Sequence, residues 1–190
     1  MEGTKLKKIL VLAIGIVITL ILFPTSGEAH AKETNPEVEI NKIHEKTNIP
    51  IEELKKRWNQ YEKDKNHNKL FKSERGNVHH GDIMISYTTT SDRVTWWNQD
   101  REASAVTRAT SFSNGGPIYL DKISAKVKVY KKIRNGFTVS EQATDTNTNF
   151  NLASVALVNV KSSSDAFTLG IYKWEDSSFG NLGWTTRINH

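Results

Sequence analysis

Residues 122–133 alternate between two kinds. Ile123, Ala125, Val127, Val129 and Ile133 are apolar, while Ser124, Lys126, Lys128, Tyr130 and Lys132 between them are polar or charged. Successive strand side chains point to opposite sides, so a period of two predicts a strand with one face in a core and one in water. Similar β-rich runs occur at 82–89, 93–98, 103–110, 118–120, 137–141, 152–160, 166–174 and 184–188. Between them lie turn-forming stretches, among them Ser113-Asn114-Gly115-Gly116-Pro117, Arg134-Asn135-Gly136 and the polar run 145–149. Short strands with frequent turn signals predict an antiparallel β-sandwich.

The hairpin after residue 133 has a register that burial can select. A two-residue Asn135-Gly136 turn would put Phe137 and Val139 on the lysine face. A three-residue turn with Gly136 left-handed pairs Ile133 with Phe137 and gathers the apolar side chains on one face. A one-residue slip exchanges faces, so the three-residue form is expected. Lys131 breaks the pattern and is expected to snorkel at the sheet end.

Ahead of the strands the period changes. Asn35-Pro36 offers a cap followed by proline at the first helical position, with Ile40 and Ile43 on one side of a short helix. Pro50 opens a second helix, in which Ile51, Leu54, Trp58 and Tyr61 form one apolar stripe. Glu52 and Glu53 precede Lys55, Lys56 and Arg57, the order that the helix dipole favours. Past residue 61 the pattern dissolves into charge, which reads as a solvated linker over 62–79. The string 43–59 is similar to the helical half of a LysM wall-binding module. The resemblance covers 17 residues and lacks the glycine–aspartate strand that opens such a repeat. Paired amphipathic helices around a tight turn are common, so the chain is not assigned to that family.

The first residues carry a different message. Lys5, Lys7 and Lys8 precede an apolar run over 9–23, Pro24 ends it, and Ala29-His30-Ala31 follows. A basic head, a short apolar stretch and an A-x-A end predict a secretory signal peptide at 1–31. The run falls short of the roughly 20 residues that span a bilayer as a helix, so no stable membrane span is expected after cleavage. The chain has no cysteine. That excludes disulfides, thiolate metal sites and a cysteine nucleophile. The formal net charge is +5, and loss of the leader would lower it by one, because three lysines and two glutamates leave together. This is a mild bias towards anionic partners.

The candidate chemistry is sparse. Lys126, Lys128, Lys132 and Arg134, with Tyr130 among them, would form a row of cations about 6.6–7 Å apart on one strand face. Such a row suits teichoic acid, an acidic polysaccharide or nucleic acid. It equally suits a solvated face that discourages edge-to-edge pairing, and acids on neighbouring strands would neutralise it. Trp174 and Trp184 flank a polar, glycine-bearing loop, the shape of a carbohydrate site; cross-strand aromatic packing is the alternative. Trp96-Trp97 in a strand would put one ring in the core and one in solvent. Asp145, Asn147 and Asn149 resemble the start of an EF-hand loop. Phe150 and Ala156 stand where that loop needs glycine and glutamate, leaving a polar hairpin connection as the expectation. His79 and His80 precede Asp82, but adjacent histidines on a strand diverge, and zinc needs three or four convergent ligands. There is no G-x-S-x-G, and Glu175-Asp176 are too close in sequence for a glycosidase pair.

The sequence therefore predicts a mainly β protein: a signal peptide at 1–31, a charged helical segment at 32–61, a linker at 62–79 and an antiparallel sandwich at 80–190. The expected role is a secreted or wall-associated, non-catalytic binding protein without cofactor or metal. Its expected ligand surface is Lys126, Lys128, Tyr130, Lys132 and Arg134, or Trp174 and Trp184. The expected partner is an anionic cell-wall polymer or carbohydrate. Export argues against nucleic acid, and oligomeric state is not legible. A wall hydrolase using His79 or His80 with Asp82, and a membrane-acting toxin, are the alternatives.

Overall fold

The structure is a computed structural model that describes residues 35–163 and 165–190. The signal peptide expected at 1–31 lies outside the described residues. The chain divides into two compact units, Met1–Glu39 and Ile40–His190. Of the first, only the opening of helix α1 (Pro36–Thr47) is described. Asn35 caps that helix as expected, its Oδ1 accepting from the Glu37 N–H at 3.0 Å. Helix α2 (Ile51–Asn66) starts after Pro50 and runs past the expected end at Tyr61.

Eight strands follow in two four-stranded antiparallel sheets. Sheet A has the order β1-β2-β3-β6 and sheet B the order β5-β4-β7-β8. The strands are β1 (Phe71–His80), β2 (Ile83–Arg93), β3 (Arg101–Ser111), β4 (Leu120–Ile133), β5 (Gly136–Phe150), β6 (Leu152–Val160), β7 (Phe167–Asp176) and β8 (Gly180–Asn189). The chain changes sheet at β3–β4, β5–β6 and β6–β7, so the two layers are sewn together around one core. This is the expected antiparallel β-sandwich with helices ahead of it.

The alternation decides which side of each strand is buried. Ile123, Ala125, Val127 and Val129 of β4 are wholly buried, as are Tyr172 and Trp174 of β7. Facing them in sheet A are Ile85, Tyr87, Ala103, Ala105 and Ala109. Alanines on β3 leave room for the aromatic rings of β2 and β7, the large-against-small matching that fills a core. Gly170 meets a second need. A Cβ there would lie 1.8 Å from the Thr89 hydroxyl and 2.7 Å from that of Thr186. The bare backbone thus admits a buried polar cluster in which Thr89 bonds Tyr172 and Thr186. Burial pushes the Tyr172 phenol up to about 12.

Four local expectations are corrected. The linker at 62–79 instead holds the end of α2 and nearly all of β1, an edge strand so exposed that it shows no apolar alternation. Residues 93–98 do not form a strand. β2 ends at Arg93, and a compact loop follows in which Thr95, Asn98 and Asp100 bond one another. Trp96 and Trp97 are both half-buried there. Trp96 meets Trp58 edge-on at 5.1 Å, and the Trp97 carbonyl accepts from Arg57 of α2 at 2.6 Å. Strand β5 does not stop at 141 but continues through 145–149. Asp145 Oδ2 accepts from Asn147 Nδ2 and the Ser154 N–H, and Asn147 also donates to the Leu152 carbonyl. These residues clamp the corner between β5 and β6.

The hairpin takes neither proposed register. Ile133 pairs with Gly136, leaving two residues in the turn, and an irregularity at Val129/Tyr130 re-phases β5. Phe137 now pairs with Lys132 and Val139 with Tyr130, which puts both on the outward face, and they remain exposed, as does Ile133 at the end of β4, rather than joining the core.

A candidate anion-binding face

The inward parity of Val127, Val129, Tyr172 and Trp174 fixes the outward face of sheet B. Register then sets its rows. Lys122 lies between Thr148 and Glu175, and Ser124 between Thr146 and Lys173. Lys126 lies between Thr144 and Ile171, and Lys128 between Gln142 and Leu169. On β8 the rows end in Asn181, Gly183, Thr185 and Arg187.

Within this grid Ile171 is the centre of a ring of cations. Lys126 is beside it, Lys173 follows it along β7, and Lys128 and Arg187 occupy diagonals. Neighbours on such a face are about 5 Å apart across strands and about 7 Å apart along a strand or on a diagonal. The four rows carry five cations and one acid, Glu175. Lys122 engages that acid at 3.0 Å. Lys126, Lys128 and Lys173 make no ion pair among the described residues. Arg187 donates through Nε to Asn189 Oδ1 at 3.0 Å and lies over the Phe167 ring at 3.9 Å, so its charge is held in place without being neutralised. Sheet A differs. Its outward charges, Arg75, Arg108, Asp92 and Glu102, balance, and its other outward positions include Thr88, Thr90, Ser104 and Val106.

Next to Lys126 the face is dished. An open, shallow hollow of about 370 Å³ is lined by Ile171, Tyr172, Lys173, Gly183, Trp184 and Thr185. Gly183 creates it by lacking a side chain where its neighbours have one. A Cβ there would sit 3.1 Å from the Tyr172 carbonyl oxygen.

The expected site residues divide. Lys126 and Lys128 lie in the ring. Tyr130 is at its lower end, its ring stacked on Phe167 at 4.4 Å and half-buried. Lys132 is instead paired with Asp165 at 2.7 Å, and Arg134 sits in the exposed hairpin turn. Trp174 is corrected outright. It is wholly buried and donates its indole N–H to Thr107 Oγ1 at 2.9 Å, so it has no surface for a ligand. Trp184 is half exposed on edge strand β8, its ring 6.0 Å from Tyr87. The two tryptophans do not flank a shared mouth. Lys173 and Arg187 were missed because cross-strand register, not the spacing within one strand, brings them to Lys126.

The other candidates scatter. The His79 ring packs on Phe112 and the His80 ring on Phe179. Asp82 accepts from the Ser111 hydroxyl at 2.6 Å and the Ser113 N–H at 2.9 Å, and these bonds hold its carboxyl below the usual carboxylate range. Among the described residues no group of three His, Asp or Glu side chains converges on a point. No described helix is long and apolar enough to cross a membrane. His190 bonds Ser162 Oγ through Nδ1 at 2.7 Å and Thr168 Oγ1 through Nε2 at 2.9 Å. Burial, reinforced by Arg101, brings its pKa down to about 3. This pairs a serine with a histidine, but an imidazole so reluctant to take a proton is a poor general base.

Comparison with known proteins gives no match to any family model or to any curated protein.

Proposed function

We propose that this chain is an exported, non-catalytic binding protein that holds an anionic polymer of the cell surface on the outward face of sheet B. The observation that carries the reading is the charge arrangement: Lys126, Lys128, Lys173 and Arg187 surround Ile171, and the one acid of the face is already paired with Lys122. Unpaired cations on a rigid sheet are pre-organised, so little side-chain ordering is needed beyond the lysine tips. A long polyanion would release counterions on binding, so its affinity would depend steeply on salt. Export is supported by the basic head, the short apolar run and the A-x-A end of residues 1–31. A hydrolase built from His79, His80 and Asp82 draws no support from side chains that face different neighbours.

The test is binding of the purified protein to isolated cell wall and to soluble polyanions across a salt series. The wild type is expected to bind at low salt and release as salt rises. The double variant Lys126→Glu/Lys128→Glu is expected to lose at least tenfold in affinity. Lys132→Glu, which alters a lysine already paired with Asp165, is expected to lose less than threefold. Equal binding by all three would defeat the reading.

A further inference from the structure

Arg101 opens β3 with its side chain turned inward. It is 4% exposed, and its Nε and Nη1 atoms are buried and donate to nothing among the described residues. We propose that Arg101 binds a small monovalent anion of the chloride kind inside this end of the sandwich, in the cluster it forms with Arg93, Lys72, Ser91, Thr168 and His190. This site is separate from the outward face of sheet B and does not depend on the polyanion role.

Three features point to it. First, positive charge is in excess. Arg93 stands directly opposite Arg101 in the β2–β3 register, and it too is inward and buried. Like charges so placed repel. Arg93 is compensated, with Asp64 at 3.7 Å and the Thr95 and Trp96 carbonyls accepting from its Nε and Nη2. Arg101 makes no ion pair among the described residues. Asp92 and Glu102 alternate to the outward face, and Asp100 Oδ1, also buried, accepts from no described group. Second, the guanidinium keeps its proton. Burial and Arg93 lower its pKa only to about 10, so it is charged at neutral pH. A buried charge is stable when it is paired. A water molecule can accept from an N–H but leaves the charge uncompensated. One uncompensated guanidinium calls for one negative charge. Third, the surroundings are polar yet closed. Ser91 and Thr168 are wholly buried, and Thr168 Oγ1 donates to Ser91 Oγ at 3.2 Å. Ser91 pairs with Ala103, which puts it on the diagonal from Arg101, about 7 Å away on the same inward face. Lys72 is held there by the Asn189 carbonyl at 2.7 Å, and burial and then Arg101 lower its pKa. His190, uncharged near neutral pH, adds no competing cation. An ion entering such a place sheds its water. That cost grows with the square of the charge, which favours a monovalent ion over divalent phosphate or sulfate.

The experiment follows thermal unfolding of the full chain as sodium chloride replaces sodium gluconate, an anion too large for a closed site, at constant ionic strength. The midpoint is expected to rise by about 2–4 °C once chloride reaches ten times its dissociation constant, and then to level off. Bromide is expected to act as chloride does. Arg101→Met keeps the aliphatic stem and is expected to lose the chloride dependence, whatever its own stability. Lys126→Glu/Lys128→Glu is expected to retain it, which separates this site from the outward face. Crystals of the wild type grown in bromide are expected to show an anomalous peak in contact with Arg101 Nε or Nη1, a result that needs no variant to fold. A chloride-independent midpoint, or a dependence that survives Arg101→Met, would overturn the inference. So would a dependence that vanishes in the Lys126/Lys128 variant, or a crystal in which water or the Asp100 carboxylate meets Arg101 instead.

Discussion

The indole N–H of Trp174 in sheet B reaches across the interior to the hydroxyl of Thr107 in sheet A, at 2.9 Å. Thr107 in turn donates its own hydrogen bond to the Ser86 carbonyl at 2.8 Å, so the three groups form a short polar seam in a core that also holds the Thr89–Tyr172–Thr186 cluster. A buried polar group left without its partner costs about 1–3 kcal/mol.

Trp174→Phe should therefore lower unfolding free energy by about 1–3 kcal/mol. Trp174→Ala, which adds a cavity, should cost about 3–5 kcal/mol. Denaturant titration measures both. Neither change touches the outward face, so folded Trp174→Phe protein should keep its polyanion affinity within twofold. A tenfold loss of affinity with unchanged stability would instead return Trp174 to the ligand site.

His190 supplies a pH dependence. Its imidazole faces Ser162, Thr168 and Ser91, with Arg101 and Lys72 as the nearby charges. In the unfolded chain it takes up a proton near its ordinary value of 6.5, and in the fold only near about 3. Between those values the unfolded state binds the extra proton. Stability from this group is then complete above pH 6.5 and is lost as pH falls towards 3, with a slope of up to about 1.4 kcal/mol per pH unit. Unfolding midpoints of wild type and His190→Gln over this window isolate the contribution from that of the carboxylates. The variant should show the shallower slope, and parallel curves would mean that His190 is protonated in the fold.

Glu175 limits the face by occupying Lys122 at 3.0 Å. Glu175→Gln removes the acid and frees that lysine. Polyanion affinity should rise severalfold at low salt, and the slope of log affinity against log salt should steepen by about one, the signature of one added phosphate contact. An unchanged slope would place the ligand away from Lys122.

Much of this architecture is legible along the chain because burial imposes a period. Residues 123–129 alternate since one side of β4 is sealed by β3 and β6, and the two-layer sandwich follows from several such runs. Legibility fails where burial is absent or another force decides. Strand β1 is an edge with charged and polar side chains on both sides, so nothing in its pattern separates it from a linker. The Val94–Trp96 spacing imitates a strand, yet side-chain bonds among Thr95, Asn98 and Asp100 bend the backbone into a loop. Asp145 and Asn147 belong to turn-forming residue types, but here their side chains pin two strands at a corner. For the site, Lys126 and Lys128 were visible because they share a strand. Lys173 and Arg187 depend on which residues of β7 and β8 come to lie beside them. Trp174 was misplaced for the same reason, since the inward parity of β7 is set by its fit against Tyr87 and Thr107.

The most direct test is to follow backbone amide resonances of the isotope-labelled protein during titration with poly(glycerol phosphate). The largest shifts are expected at Lys126, Lys128, Ile171, Lys173, Gly183 and Arg187, fading when salt is raised. Largest shifts on the outward face of sheet A, or in the loops bearing Phe112 and Tyr119, would contradict the assignment of the ligand to sheet B.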